Sequence, residues 1–300
     1  MATKRLHLML NDTLKAALAP STQRTYMKIE PLLDQFAAEI GQPAFPTSPS
    51  ITALFAQSLA KKYKPSSIKT LMSALSYKYK IRGYDDPTSS FIVRQTLRGL
   101  SRLQPTIDDR RPLTLEQLRH LLQTASQHPF SQYQACLFRA MFTTAFFGLF
   151  RISEITGGSK DNNHTIRIQY VNLDLQKGTI IITLPSFKHS SNTSNHQVTL
   201  FRQNPAICPV EHLAAYLHMR PQSSHSELFL QQDGSLVTRH HFTDTLKHCL
   251  QAAGMDTTLT KSHSFRIGGA TLAAKCGMST EQIRILGRWR SSAFTNYIRF

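Results

Sequence analysis

Between residues 104 and 114 the chain reads QPTIDDRRPLT. Its two prolines remove backbone donors and push the residues before them out of the helical region. The stretch also holds Asp108, Asp109, Arg110 and Arg111 in a row, with little to bury. Helical patterns lie on both sides of it, so no element continues through. This break is the strongest constraint on the fold. It divides 300 residues into two pieces, each long enough for its own core. The expected organisation is a helical domain over residues 1–105, a linker over 106–112 and a second domain over 113–300.

The first piece reads as four helices. STQRTYMKIEPLLDQFAAEIG opens on Ser21 as a cap and repeats Tyr26, Ile29, Leu32, Leu33 and Phe36 at helical spacing, with Pro31 interrupting the first turns. ITALFAQSLAKKY, SSIKTLMSALSYKYKIRG and SSFIVRQTLRGLSRL follow. Lys61, Lys62, Lys64, Lys69, Lys78, Lys80 and Arg82 cluster around the second and third, a basic flank suited to gripping DNA; a solvated lysine face is the plainer alternative. In the second piece Thr114 caps a helix beginning LEQLRHLL, and helical sequence runs on to AFFGLF. HTIRIQYVNLDL, GTIIITLP and HQVTLF then read as short strands, and helices resume from Pro209. The class is mainly α with a small antiparallel β-sheet, not a doubly wound order.

Charge narrows the function. Thirty-five Lys and Arg against eighteen Asp and Glu leave +17. Residues 1–112 carry 17 basic and 8 acidic groups, and residues 113–300 carry 18 and 10, so the excess is not confined to a tail. A field spread over the whole body favours a large polyanion, double-stranded DNA foremost. No apolar stretch is long enough to span a bilayer. Asn11, Asp12 and Lys15 interrupt any signal-peptide core. Cys136, Cys208, Cys249 and Cys276 form no CxxC pair, which fits reduced thiols in an intracellular protein. The adjacent His240 and His241 point in different directions and make no metal pair.

Four short segments carry candidate chemistry. FFGLFRISEITG puts Arg151 at the end of a strongly apolar run, with Glu154 three residues on as a helical-face partner. A desolvated Arg needs such a partner or an anion. LPSFKHSSNTSNHQVTL places Lys188 at a hairpin tip, flanked by His189 and His196 in local structural roles. TKSHSFRIGGATLAAKCG sets His263 and Arg266 on one side of a helical turn, and Gly268 and Gly269 permit close backbone approach. Beyond them two short helices are expected, broken at Gly277. RILGRWRSSAFTNYIRF holds Trp289, whose indole is a lone donor, and the phenol of Tyr297. Singly, each has a structural alternative: an ion pair, an exposed lysine, a capping histidine, a core tryptophan, a surface tyrosine.

As a set they suit attack on a phosphodiester. Arg151 and Arg266 grip non-bridging oxygens, Tyr297 attacks phosphorus, Lys188 protonates the leaving 5′-oxygen, His263 handles the phenolic proton and Trp289 holds a phosphate oxygen. Neither a metal nor another cofactor is required, and no carboxylate cluster of the two-metal kind stands out.

FRISEITG, the hairpin lysine, HSFRIGG, LGRW and NYIR, in that order, resemble the motifs of the tyrosine recombinase, or phage integrase, family. HSFRIGGAT and LGRWRSSAFTNYIR are similar to recombinases of eukaryotic mobile elements. The resemblance implies a helical core-binding domain and an α+β catalytic domain forming a C-shaped clamp on DNA. It implies site-specific strand exchange through a 3′-phosphotyrosyl intermediate, with Arg151, Lys188, His263, Arg266, Trp289 and Tyr297 catalytic and Glu154 supporting. A homodimer on each site, a homotetramer in synapsis and a nuclear setting in a eukaryote follow from it. Two alternatives are nicking and religation of the type IB topoisomerase kind, and a recombinase-derived DNA-binding or architectural protein. Only Ile298, Arg299 and Phe300 follow Tyr297, where many members continue into a helix that docks on a neighbouring protomer; truncation, assembly by other contacts and poor recombination are the three readings.

Overall fold

A computed structural model of the chain describes residues 2–105, 108–127, 131–158, 164–185 and 195–300. The chain separates into two compact units, Met1–Asp108 and Asp109–Phe300.

In the first unit the helices are α1 (Ala2–Ala16), α2 (Pro20–Met27), α3 (Ile29–Ile40), α4 (Pro49–Leu59), α5 (Pro65–Ile81) and α6 (Phe91–Leu103). Helix α1 was not among the expected elements. Its Leu6, Leu8, Met9 and Leu10 are exposed, so no buried stripe announces it in the sequence. The single helix expected from Ser21 is two. Helix α2 starts at Pro20 with Ala19 at the cap position and no side-chain cap, so Ser21 lies within the first turn. Lys28 closes α2, and Pro31 then falls in the first turn of α3, where its missing N–H has no intrahelical partner to lose. Ser48 and Ser90 accept from the backbone N–H groups of Ile51 and Val93 and so start α4 and α6. Phe36, Phe55, Ile68, Leu75 and Tyr79 form the centre of this unit's core.

The second unit is built around α8 (Gln132–Phe147), which buries Leu137, Phe138, Met141, Phe142, Ala145 and Phe146. Against it pack α7 (Leu115–Gln127), α10 (Pro209–Met219) and α12 (Ser262–Lys275). Thr114 and Gln117 cap α7 reciprocally, at 3.0 and 3.1 Å. A short α9 (Ile152–Ile155) follows α8, and α11 (Arg239–Ala252) and α13 (Thr280–Leu286) complete the helical set before a 3-10 turn over Ser292–Tyr297. Strands β1 (Val171–Asp174), β2 (Thr179–Leu184) and β3 (His196–Phe201) form an antiparallel sheet in that order, with Ile180 opposite Leu200 and Ile182 opposite Val198. Ile180, Ile182 and Leu184 point inward and join the core, the alternation of a half-buried strand. Lys188 and His189 lie outside the described residues. The four cysteines are free thiols.

The HSFRIGG segment is the first half of α12, an unbroken helix up to Lys275; Gly277, with φ 80°, ends it. A Cβ on Gly268 would lie 2.0 Å from the carbonyl oxygen of Leu113, and one on Gly269 would lie 2.2 Å from that of Phe146. The close approach is therefore to the protein's own backbone, at Leu113 before α7 and at the end of α8. Gly269→Ala gains about 1 kcal/mol of helix propensity, but the overlap with a backbone carbonyl is expected to win, with a net loss of about 1–3 kcal/mol. Urea unfolding measures this; an unchanged or raised midpoint would contradict the packing argument.

Candidate active site

Helix α8 stops at Phe147, short of the arginine. Leu149 then takes φ 48°, a left-handed conformation that bulky residues rarely adopt. Arg151 consequently does not rise from α8 as the apolar run suggested. It is the extended N-cap residue of α9. Its Nη1 donates to Glu154 Oε1 at 2.9 Å, and its backbone N–H donates to Glu154 Oε2 at 2.8 Å. The Arg151 side chain keeps 18% exposure while Glu154 keeps 1%.

Glu154 has a second cation that sequence reading missed. Arg288 Nη2 donates to Glu154 Oε2 at 2.8 Å and to the Leu149 carbonyl at 3.1 Å. Its Nη1 donates to the carbonyls of Leu286 at 2.9 Å and Gly148 at 3.2 Å. The guanidinium lies over the Phe150 ring and is fully buried. Nothing local separates Arg288 from its neighbours Arg284, which pairs with Glu281, and the exposed Arg290.

Arg266, also buried, donates through Nη1 to the Leu149 carbonyl and through Nη2 to the Gly287 carbonyl. Its guanidinium carbon sits 4.0 Å from the centroid of Trp289 and 5.7 Å from that of Tyr297. One turn earlier on α12, His263 Nε2 is 2.9 Å from Tyr297 Oη. Thr271, also on α12, donates to the Tyr297 carbonyl at 3.2 Å and accepts from the Arg299 backbone at 3.1 Å, which fastens the terminal turn. Trp289 lies across Gly287, where a Cβ would come within 1.5 Å of its ring, and its ring centroid is 5.0 Å from that of Tyr297.

Burial would raise the Glu154 pKa, but Arg288, Arg151 and Arg266 outweigh it and hold the carboxyl below the usual carboxylate range. Burial, then the charges of Arg151 and Arg288, push the Arg266 guanidinium well down, against Glu154 and Tyr297. The Glu154 carboxylate bonds Arg151 and Arg288 directly and opposes the downward push on Arg266. Three cations thus face one carboxylate. Arg266 Nε and Arg288 Nε have no hydrogen-bond partner among the described residues. A buried surplus of positive charge favours an anion nearby.

The structure therefore brings Arg151, Glu154, His263, Arg266, Trp289 and Tyr297 together. Among the described residues, no group of three His, Cys, Asp or Glu side chains is placed to hold a metal ion. In the first unit, Lys61, Lys62, Lys64 and Lys69 are exposed. Lys78 and Arg82 both pair with Glu30, and Lys80 lies 3.3 Å from Asp86. Lys69 lines two open grooves, one with Ser21, Thr22 and Thr25 and the other with Arg94 and Arg98. Those two arginines of α6 were absent from the sequence candidates, although their i,i+4 spacing puts them on one face.

A sequence model of the phage integrase family matches residues 111–299. No curated protein sequence matches the chain. Among solved structures, the Tn1549 transposon integrase in complex with transposon right end DNA aligns with TM-score 0.66 at 15% identity, over 94% of this chain and 90% of that one. A lambda integrase dimer bound to a COC′ core site aligns with TM-score 0.63 at 15% identity, over 98% and 77%. XerH site-specific recombinase bound to palindromic difH substrate aligns with TM-score 0.62 at 17% identity, over 84% and 68%. No helix among the described residues is long and apolar enough to cross a membrane.

Glu154→Gln removes the one carboxylate from among three guanidinium groups and is expected to cost about 3–5 kcal/mol at neutral pH. Because the folded pKa is lowered, the wild-type contribution is complete above the unfolded value near 4.5 and is lost as pH falls below it through the folded value. Urea unfolding of both proteins across pH should show the gap closing only below about 4.5. A gap independent of pH would contradict the assignment.

Proposed function

The chain belongs to the phage integrase family, and from that membership we infer that this protein is a site-specific DNA recombinase that cleaves and rejoins strands through Tyr297. It is an enzyme acting on DNA. The observation that carries the role of Tyr297 is the 2.9 Å contact between its Oη and His263 Nε2, beside buried arginines that outnumber their carboxylate.

In the cleavage step Tyr297 Oη attacks phosphorus as its proton passes to His263 Nε2. The new bond is a 3′-phosphotyrosyl ester, and the bond from phosphorus to the 5′-oxygen breaks. Lys188 delivers a proton to that oxygen, a form of general-acid help worth about 10²–10⁴-fold in rate. Arg151 and Arg266 stabilise the charge growing on the non-bridging oxygens; one such donor contributes on the order of 10²–10³-fold. Two of the Arg266 donors are tied to backbone carbonyls, which fixes its guanidinium beside the Tyr297 ring. Trp289 acts through its ring face, holding the Arg266 plane against Tyr297, and not only through the indole N–H. Rejoining is the reverse, with a 5′-hydroxyl attacking the phosphotyrosine. The ester conserves the phosphodiester energy, so no ATP enters. Cationic side chains do the electrostatic work in this reading, and it assigns no metal.

The reading extends to the rest of the chain. Residues 1–105 form a DNA-gripping domain whose Lys69 grooves, with Arg94 and Arg98, meet backbone phosphates alongside Lys61, Lys62 and Lys64, and residues 113–300 carry the chemistry. Two protomers bind one site and four assemble in synapsis; the lambda integrase neighbour is a dimer on its own core site. The protein works where its DNA is, in the nucleus if the source is eukaryotic.

Tyr297→Phe should abolish the denaturation-resistant protein–DNA adduct on nicked duplex substrates while leaving the Kd for the same DNA within about twofold, since only the nucleophilic oxygen is lost. An adduct that persists would refute the nucleophile. Lys188→Ala should slow cleavage by about 10²–10⁴-fold and recover most of the rate on a substrate with a 5′-bridging sulfur. Absence of that recovery would refute the general acid. Tight specific binding without any adduct would favour a recombinase-derived DNA-binding protein, and cleavage that needs no paired sites would favour topoisomerase-like religation.

A further inference from the structure

We propose that Arg288 is a positioning residue for strand cleavage: it fixes Arg151 through Glu154 and Arg266 through the Leu149 carbonyl, without touching DNA itself. The proposal rests on the strand-cleavage reading of the Tyr297 site.

Arg288 cannot be a phosphate ligand where it stands. Its side chain has no exposure, and its hydrogen bonds run inward to Glu154, Leu149, Gly148 and Leu286. Those acceptors are the ones that hold the two arginines at the reaction centre. Glu154 Oε2 takes Arg288, and its other oxygen takes Arg151. The Leu149 carbonyl takes both Arg288 and Arg266. Each phosphate-facing guanidinium is thus one shared acceptor away from Arg288.

The backbone supports the same conclusion. Leu149 and Arg288 are the non-glycine residues with positive φ among those described, at 48° and 57°, and they are bonded to each other. Backbone held in sparsely populated regions persists where surrounding contacts over-determine it, and it clusters at functional sites. At Leu149 the turn aims the carbonyl at both guanidinium groups. At Arg288 it lets the chain double back, so that Trp289 covers Gly287 and meets Arg266. A core selected for stability alone gains by filling such a position with an apolar side chain, because a third desolvated cation is adverse to the two already present. A planar fork that reaches a carboxylate and three carbonyls at once is a property of Arg and not of Lys.

The test is single-turnover cleavage of a nicked suicide duplex at saturating protein, with Kd and thermal midpoint measured alongside, for wild type, Arg288→Lys, Arg288→Gln and the Glu154→Gln/Arg288→Gln double variant. Arg288→Lys keeps a cation beside Glu154, so it carries the comparison if Arg288→Gln does not fold. Arg288→Lys is expected to cleave at least about tenfold more slowly with Kd within about threefold of wild type, a loss in the chemical step and not in binding. The double variant should lose far less than the product of the two single losses, as for residues acting through one contact. Cleavage by Arg288→Lys within about threefold of wild type, losses that multiply, or binding that falls in step with cleavage would each overturn the proposal. If wild type itself forms no adduct on DNA it binds, the strand-cleavage reading falls and this one with it. Wild-type adduct with unimpaired variants overturns this one alone.

Discussion

Glu154 is the hub of the second unit. It is almost fully buried, it bonds Arg151 and Arg288 directly, and it feels the charge of Arg266 as well. A carboxylate in that position is tolerable only because the guanidinium groups surround it, and they are tolerable only because of it. The mutual dependence joins four segments far apart in the chain: the turn after α8, the short α9, the first turns of α12 and the LGRWR turn after α13. A surplus of positive charge is left over, and the proposed function assigns it to a DNA phosphate. The proposed chemistry thus falls to the same ion cluster that ties these segments together, and it is held by packing that leaves little slack.

That packing is visible around α12. Gly268 and Gly269 let its backbone press on Leu113 and on the end of α8, while Phe265 stacks on Phe142 at 5.2 Å. His263 and Arg266 therefore stand on a rigid helix and not on a loop, which is how a site is held to the tolerance that chemistry demands. Thr271 on the same helix ties down the turn that carries Tyr297. Tyr297, the proposed nucleophile, is thereby held in place by α12.

Much of this was legible in the sequence wherever the signal was local. Helical periodicity marked α4, α5 and α6, because burial of one face leaves its period in the residues, while a β-branched run bounded by turn-like residues marked β2. The Arg151–Glu154 pairing was legible from its spacing, although Arg151 meets Glu154 as the extended cap of α9 and not along a helical face. His263 and Arg266 share one side of α12 because three residues make almost one helical turn. What escaped notice depends on distant partners. Arg288 looks like its exposed neighbours until Glu154, 134 residues away, is beside it. The closeness required at Gly268 and Gly269 was readable, but not that protein backbone fills the space. The pairing of Lys78 and Arg82 with Glu30 is likewise a tertiary fact that the basic flank concealed. Helix α1 buries no apolar stripe to betray it, and the α2–α3 division follows from where prolines are tolerated, which periodicity alone does not record.

The central claim is that Tyr297 forms a covalent bond to DNA within this cluster. The most direct measurement is tandem mass spectrometry of a nuclease-trimmed protein–DNA adduct after tryptic digestion. The account predicts a residual nucleotide on the peptide Ser291–Arg299, attached at Tyr297 through a 3′-phosphate. A nucleotide attached at another residue, or joined through a 5′-phosphate, would contradict it.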